Sequence, residues 1–275
     1  MIYSDFHIHS EHSYDSELPL ETICIEAERL GLCAYGITDH VNYNEEPYLS
    51  SIRGAASHYA EIRDRHPGLL LGVELTPIPR AEYEYLALHG DRDGYIAPTS
   101  YPLDMELAMT KEKLISLGVR YAVCATHWRV DVGDRNEPAN LDVLIKEWHR
   151  QQMYLACDER TTILGHPWYN GRGLWYEDFS AIPRSMHREL GAALLENGKY
   201  IECNTDVLLS CRASDRFHHQ YAEFLREMFE MGVPVTYGSD SHNRYLDRRE
   251  QATLYLHSAG FRDGDFSELS EDKLW

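Results

Sequence analysis

Short apolar stretches alternate with longer amphipathic segments along the 275-residue chain. The stretches with the length and composition of buried strands cover residues 2–8, 33–38, 69–73, 119–125, 161–164, 200–203 and 233–237. Between them, apolar residues recur at helical spacing in segments that contain Ile23, Ile52, Leu141, Met186 and Phe217. Alternation of this kind predicts parallel strands connected by helices, so we expect an α/β barrel in which the carboxyl ends of the strands share one face.

One segment departs from this alternation. Residues 76–110 are rich in Pro, Tyr and Gly, have no clear periodicity and are longer than an ordinary connection between a strand and a helix. We therefore expect an elaborated loop or lid there. Elsewhere no linker, internal repeat or low-complexity tract suggests a domain boundary, so the sequence predicts one barrel domain over residues 1–275.

The charge balance narrows the class of ligand. Lys and Arg number 26 against 45 for Asp and Glu, a formal net charge of -19. Such a surface repels nucleic-acid backbones and anionic lipids, which argues against nucleic acid or a membrane as a partner. Bound divalent cations would still create a local positive centre for a small phosphorylated substrate.

Cysteine usage and the amino terminus indicate the compartment. The six cysteines form no CxxC pair and have no disulfide-like spacing, which is typical of reduced residues. The first residues contain neither a basic n-region nor an apolar h-region, and no window approaches the run of about 18 apolar residues that a membrane span needs. We therefore expect a cytoplasmic protein.

Potential metal ligands follow the predicted strands, where each strand gives way to a loop. His7 and His9 are two residues apart, so on an extended strand both point to the same face and can bind one ion. Glu74 follows five residues that should be buried, and a buried carboxylate requires a cation nearby. The full set of candidate ligands is His7, His9, Asp15, His40, Glu74, His127, His166, Asp240 and His242. Imidazoles and carboxylates on one rim predict a polynuclear metal site.

These motifs resemble the PHP (polymerase and histidinol phosphatase) superfamily of metal-dependent phosphoesterases. The resemblance rests on residues 5–10, 38–40, 72–74, 165–167, 202–204 and 238–242, with Asp15 and His127 between them, and spans nearly the whole chain. It implies a distorted TIM-like (β/α)7 barrel that holds two or three divalent ions, for which Zn²⁺, Mn²⁺ and Fe²⁺ are all suitable. The ligands it implies are His7, His9, Glu74 and Asp240 for the first ion, Glu74, His127 and His166 for the second, and Asp15, His40 and His242 for the third.

The resemblance also implies a hydrolase mechanism. A hydroxide that bridges the first two ions, held by Glu74 and Asp240, would attack the phosphorus of a small phosphate monoester. Asp5 and Asp39 each lie beside a ligand histidine and are candidates for carboxylates that orient imidazoles, or for structural turn residues.

Three arginines follow the metal motifs closely. Arg129, Arg172 and Arg244 are candidates for binding the substrate phosphate, although surface arginines in loops explain them equally well. Residues 75–110 do not resemble the histidinol phosphatase pattern, so histidinol phosphate is not favoured over other phosphate esters.

Three alternatives stay open at this point. A phosphodiesterase or nuclease of the same fold is disfavoured by the acidic chain. An amidohydrolase-type hydrolase would have an eight-stranded barrel and ligands mostly late in the chain, whereas His40 and Glu74 come early. A non-catalytic metal-binding module that stabilises a partner is the third alternative.

Overall fold

The computed structural model describes residues 2–43, 46, 48–90, 93–96, 102–127, 140–170 and 173–275. The strands within them are β1 (Ser4–Ile8), β2 (Ala34–Ile37), β3 (His40–Val41), β4 (Leu69–Leu75), β5 (Ile78–Pro79), β6 (Met105–Glu106), β7 (Tyr121–Cys124), β8 (Ile163–Leu164), β9 (Tyr200–Asn204) and β10 (Val235–Gly238). The helices are α1 (Leu20–Arg29), α2 (Tyr48–Ile62), α3 (Arg80–His89), α4 (Lys111–Ser116), α5 (Leu141–Cys157), α6 (Arg184–Glu196), α7 (Thr205–Leu208), α8 (Asp215–Glu230) and α9 (Arg249–Ser258).

The main sheet is parallel and curls into a nearly closed barrel. Its strands follow the order β1-β2-β4-β7-β8-β9-β10, and the short β3 also pairs with β4. The two edges meet where the Asp240 amide donates to the His7 carbonyl at 2.8 Å and the His9 amide donates to the Ser241 carbonyl at 2.9 Å. This confirms the predicted TIM-like α/β barrel, and each of the seven predicted strands corresponds to one strand along this path.

The interior of the barrel is filled by a small apolar cluster. Its buried members are Phe6, Tyr121, Val123, Ile163 and Tyr200. The Tyr121 hydroxyl donates to the Phe6 carbonyl at 2.9 Å. A side chain at Gly72 would place Cβ only 2.5 Å from Cζ of Tyr121, and one at Gly36 would also overlap the phenol, so these two strands need glycine beside that ring. The cluster closes the barrel below the carboxyl ends of its strands.

An irregularity in β1 determines which of its side chains face the interior of the barrel. The pairing of β1 with β2 shifts register between Asp5 and Ile8. Side chains normally alternate between faces of a strand, yet Phe6 packs in the interior cluster while the neighbouring His7 contacts Glu202 on β9. A local bulge lets both side chains face the interior, in keeping with the tendency of bulges to lie next to functional sites.

The helices cover the outside of the barrel. Their apolar faces join the outward residues of the strands in the main core, which explains why the strands read as nearly continuous apolar runs. Residues 76–110, predicted to be an elaborated loop or lid, contain α3 and the antiparallel pair β5–β6, and their role as a lid stays a prediction. Within the described part of the chain, no helix has the length and hydrophobicity needed to cross a membrane.

Candidate metal centre

The structure brings all nine predicted ligands together at the carboxyl ends of the strands. Five of them form a buried floor: His7, His9, His40, Glu74 and His166. The other four, Asp15, His127, Asp240 and His242, are partly exposed and form the wall of the site. Parallel strands deliver these side chains to one end, since His7 and Glu74 lie near the ends of β1 and β4, while His166 and Asp240 come two residues after β8 and β10.

Glu74 lies at the centre of the site. Its two oxygens face different imidazoles. Oε2 is 2.9 Å from Nδ1 of His40 and 3.4 Å from Nε2 of both His7 and His9, whereas Oε1 is 3.0 Å from Nε2 of His166 and 3.5 Å from Nε2 of His127. A carboxylate in this position can contribute one oxygen to each of two neighbouring ions.

Two further groups of ligand atoms flank Glu74. Nε2 of His9 is 3.2 Å from Nε2 of His7 and 3.3 Å from Oδ1 of Asp240. On the other side, Oδ2 of Asp15 is 3.1 Å from Nε2 of His40 and 3.4 Å from Nε2 of His242. Three groups of potential ligands therefore lie side by side: His7, His9 and Asp240; Glu74, His127 and His166; and Asp15, His40 and His242 together with His9. Their assignment to three ions stays a prediction.

Three polar residues hold candidate ligands in place, and the sequence analysis assigned a role to none of them. Oε1 of Glu202 is 2.8 Å from Nδ1 of His7, while Oε2 accepts from the His166 amide at 2.5 Å. Asn204 donates to Oδ2 of Asp240 at 3.1 Å. The Thr76 hydroxyl is 2.9 Å from Nδ1 of His127. Partners of this kind fix which ring nitrogen faces the site.

Asp5 and Asp39 accept hydrogen bonds from the backbone beside the candidate ligands, and their role in orienting imidazoles stays a prediction. Oδ1 of Asp5 accepts from the amides of Ser239 and His7, at 3.0 and 3.3 Å. Asp39 accepts from the amide and the hydroxyl of Ser10, at 2.6 and 2.7 Å. Both carboxylates are buried, and Oδ2 of Asp5 accepts from the Tyr245 hydroxyl at 2.7 Å. Glu202, in contrast, contacts the imidazole of a candidate ligand.

The role of the three arginines in binding phosphate stays a prediction. Arg129 and Arg172 lie outside the described residues. Arg244 is exposed, two residues after His242. Two tyrosine rings border the candidate ligands: the ring centroid of Tyr14 is 5.2 Å from that of His40, and the Tyr169 centroid is 5.1 Å from that of His166.

Electrostatics keep the central carboxylate charged although it is buried. Burial alone would raise the pKa of Glu74, but the imidazoles around it, that of His40 above all, hold the pKa well below its ordinary value. Burial disfavours the charged form of His40, but Glu74 and Asp15 more than offset this and raise the pKa of His40 to about 10. Burial, together with His40, lowers the pKa of His9 to about 4, so its ring is neutral and free to bind a cation.

The backbone is strained at and beside two of the candidate metal ligands. The described non-glycine residues with positive φ are His166, Trp168 and Asp240, with φ of 22°, 62° and 54°. Two of these are predicted ligands and the third follows one of them by two residues. Left-handed conformations in non-glycine residues cost of order 1–3 kcal/mol each and persist where surrounding contacts impose them. At His166 and Asp240 those contacts include amide hydrogen bonds to Glu202 and to the His7 carbonyl.

A model of the PHP domain family matches residues 5–206, which is more than half of the chain. The chain therefore belongs to the PHP family. Family membership and the geometry of the site together support a metal-dependent phosphoesterase. No curated protein matches the sequence.

Solved structures resemble the whole barrel. Histidinol phosphate phosphatase from Lactococcus lactis subsp. lactis, complexed with zinc, L-histidinol and phosphate, superposes with a TM-score of 0.65 at 20% identity, over 99% of this chain and 98% of that one. A chain of archaeal ribonuclease P with mature tRNA superposes with a TM-score of 0.50 at 14% identity, over 94% of this chain and 82% of that one. At these identities the likeness concerns the fold alone.

Proposed function

We propose that the protein hydrolyses a small-molecule phosphate monoester with the help of two or three divalent metal ions bound at the rim of the barrel. The observation that carries the proposal is the position of Glu74, whose two carboxylate oxygens face two separate sets of imidazoles. Zn²⁺, Mn²⁺ and Fe²⁺ all suit this mixture of nitrogen and oxygen ligands.

The positions of the candidate ligand atoms suit bound metal ions better than they suit direct hydrogen bonds between the side chains. Oε2 of Glu74 and Nδ1 of His40 are 2.9 Å apart, yet neither atom has a hydrogen-bond partner by geometry among the described residues. A tetrahedral ion with bonds of about 2.0 Å separates its ligand atoms by about 3.3 Å. The distances of 3.2–3.5 Å among His7, His9, Glu74 and Asp240 match that separation.

Each residue of the site then has a definable role. In the proposal the ions are held by His7, His9, Glu74 and Asp240, by Glu74, His127 and His166, and by Asp15, His40 and His242. When bound, divalent ions lower the pKa of water to near neutrality and neutralise charge on phosphate oxygens. Glu202 and Thr76 orient the rings of His7 and His127. The buried floor restricts solvent access from below, which strengthens electrostatic interactions within the site.

A small substrate is favoured by the charge of the chain. A net charge of -19 repels a polyanion over its whole length, whereas a single phosphate needs only the local field of the ions. Tyr14 and Tyr169 border the ligands and offer hydroxyl groups and ring faces to the organic part of such a substrate. Because the Lactococcus lactis structure contains L-histidinol and phosphate, histidinol phosphate belongs among the esters to be tested.

The test combines metal analysis with turnover. We expect purified protein to contain two or three ions per chain and to hydrolyse p-nitrophenyl phosphate, to lose turnover after chelation, and to recover it when Mn²⁺ or Zn²⁺ is returned. A panel of phosphate monoesters, histidinol phosphate included, and single-stranded DNA would be assayed in parallel. Cleavage of DNA without hydrolysis of any monoester would refute the monoesterase. Full metal occupancy without any turnover would instead favour a non-catalytic module.

A further inference from the structure

A second cluster of potential ligands lies outside the nine residues of the rim. It consists of Glu11, His12 and His58, each of which offers one ligand atom within 4.8 Å of the others. Glu11 and His12 belong to the loop between β1 and α1, and His58 lies on α2. From this arrangement we infer a separate binding site for one divalent cation of the Zn²⁺ type.

His58 has the orientation of a metal ligand. Its Nε2 is 2.9 Å from Oε1 of Glu21 on α1. A hydrogen bond there places the ring proton on Nε2, and Nδ1 then presents its lone pair to the cluster. That atom lies 3.2 Å from Nε2 of His12 and 3.6 Å from Oε1 of Glu11. An imidazole held from behind by a carboxylate is the usual arrangement for a histidine that binds zinc.

Glu11 and His12 are also held in position. One oxygen of Glu11, Oε2, accepts from the Leu20 amide at the start of α1 at 2.6 Å, which leaves Oε1 for the cluster. The ring of His12 lies against α2 at Gly54, where a Cβ atom would come within 2.9 Å of its Nδ1. Glycine inside a helix costs about 1 kcal/mol relative to alanine, and here it makes room for the imidazole. With Nδ1 on the side of Gly54, Nε2 faces His58.

The distances and charges favour a cation over a simple hydrogen bond. The 3.2 Å between the two imidazole nitrogens is close to the separation of about 3.3 Å expected for two nitrogens on one tetrahedral zinc ion. Two carboxylates, those of Glu11 and Glu21, also lie against this pair of imidazoles, and a divalent ion would balance their charge. Glu11 and His58 are 33% and 20% exposed, so a fourth position is open to water.

The cation would connect the β1–α1 loop to α2. That loop also carries Asp15, whose Oδ1 accepts from the Ser13 hydroxyl at 2.7 Å. Because a ligand that binds only the folded protein stabilises it, occupation of the site should raise the melting temperature. The effect on the rim would be indirect, through the loop.

The experiment counts ions in the whole protein with its resident metals in place. Protein dialysed against metal-free buffer is titrated with Zn²⁺ by isothermal titration calorimetry, and elemental analysis follows. We expect one additional Zn²⁺ per chain in the wild type, lost in His58→Ala and in His12→Ala. Glu21→Gln should retain the site with affinity weakened about 10- to 100-fold.

A matched control separates the site from unspecific binding to an acidic surface. His66 also contacts a glutamate of α1, Glu28, at 2.7 Å, but belongs to no group of three potential ligands in the described part of the chain. His66→Ala should therefore bind as much Zn²⁺ as the wild type, and Zn²⁺ should raise the melting temperature of both but not that of His58→Ala. Equal stoichiometry in the wild type and in His58→Ala, with both folded by circular dichroism, would overturn the inference. Since the readout is metal count and stability, it does not depend on the proposed hydrolase activity.

Discussion

Buried histidines occupy two regions of this barrel with opposite electrostatic surroundings. At the rim, His40 lies 2.9 Å from Glu74 and 3.1 Å from Asp15, and its pKa is raised to about 10. Between α6 and α8, His187 packs among rings, with centroids 5.2 Å from Phe179 and 4.7 Å from Phe224, and burial lowers its pKa to about 4. Both residues are buried, with 6% of His40 and 4% of His187 exposed. Since these two side chains are buried to a similar extent, the carboxylates beside His40 explain why the two pKa shifts have opposite directions.

The two regions also differ in the expected effect of substituting the histidine. At the rim, each imidazole is opposed by carboxylates that cannot be neutralised without a proton or a metal ion, so removal of one partner leaves a buried charge. Nε2 of His187, in contrast, has no hydrogen-bond partner among the described residues. An apolar side chain of similar volume would remove that cost, because no polar atom would be left unsatisfied.

The largest effect is expected from Glu74→Gln. Glutamine keeps the shape of the side chain but replaces one oxygen with an NH2 group, which cannot bind a cation. Since the two oxygens face different imidazoles, at least one ion should be lost. We expect turnover of p-nitrophenyl phosphate to fall by about 10³-fold or more, because several kcal/mol of transition-state stabilisation depends on the ions. Elemental analysis measures the metal content, and steady-state kinetics measure the turnover.

The control for that variant is Glu147→Gln. Glu147 is also buried, but its partner is Arg150, at 2.7 Å on the same helix. This substitution should lower the melting temperature and leave metal content unchanged. Full metal content in Glu74→Gln would contradict the central position assigned to Glu74.

The sequence predicted the barrel and the convergence of nine candidate ligands at the rim because both follow from local pattern. Strands buried on both faces read as apolar runs, so β1, β4 and β10 could be recognised without knowledge of their neighbours. The topology then takes the residues at their ends to one face. His166 and Asp240 could be proposed for this reason, although their left-handed backbone could not.

What the sequence could not reveal depends on contacts between distant segments. Glu202 meets His7 only because β9 and β1 point their side chains into the same barrel, 195 residues apart in the chain. His58 reaches His12 only because α2 packs against the β1–α1 loop. Helix α3 was missed because only Glu82 and Leu86 of its ten residues are buried, which leaves too weak an apolar period to detect.

A second prediction concerns the pH dependence of stability at His187. Its pKa is 6.5 in the reference state and about 4 in the folded protein, because burial and the charges of Arg184 and His149 outweigh the opposing charge of Glu227. The unfolded chain therefore binds the proton more tightly, and stability is lost as pH falls from about 6.5 through 4. The full effect is about 3 kcal/mol. His187→Leu should remove this part of the acid sensitivity, measured as free energy of unfolding in urea between pH 7 and pH 4.

Leu190→Met is the matched control for His187→Leu. Leu190 is buried on the same helix and has no titratable group, so its substitution should lower stability by a similar amount at every pH. If the pH dependence of His187→Leu equals that of the wild type, the neutral state assigned to the buried imidazole is wrong.

The smallest effect is expected from Glu202→Gln, at the margin of the rim. Both oxygens of Glu202 accept hydrogen bonds, one involving the His7 ring and one from the His166 amide, and an amide has only one acceptor. The ring of His7 or the loop of His166 must then lose its partner, which should weaken metal binding about 10- to 100-fold without removing a ligand. Chelator competition followed by elemental analysis measures the affinity, with Glu147→Gln again as the control for loss of a buried carboxylate. Wild-type affinity in Glu202→Gln would mean that the partners of the rim imidazoles are set by the metal ions alone, and the contrast with His187 would then lie in the ligands and not in the protein around them.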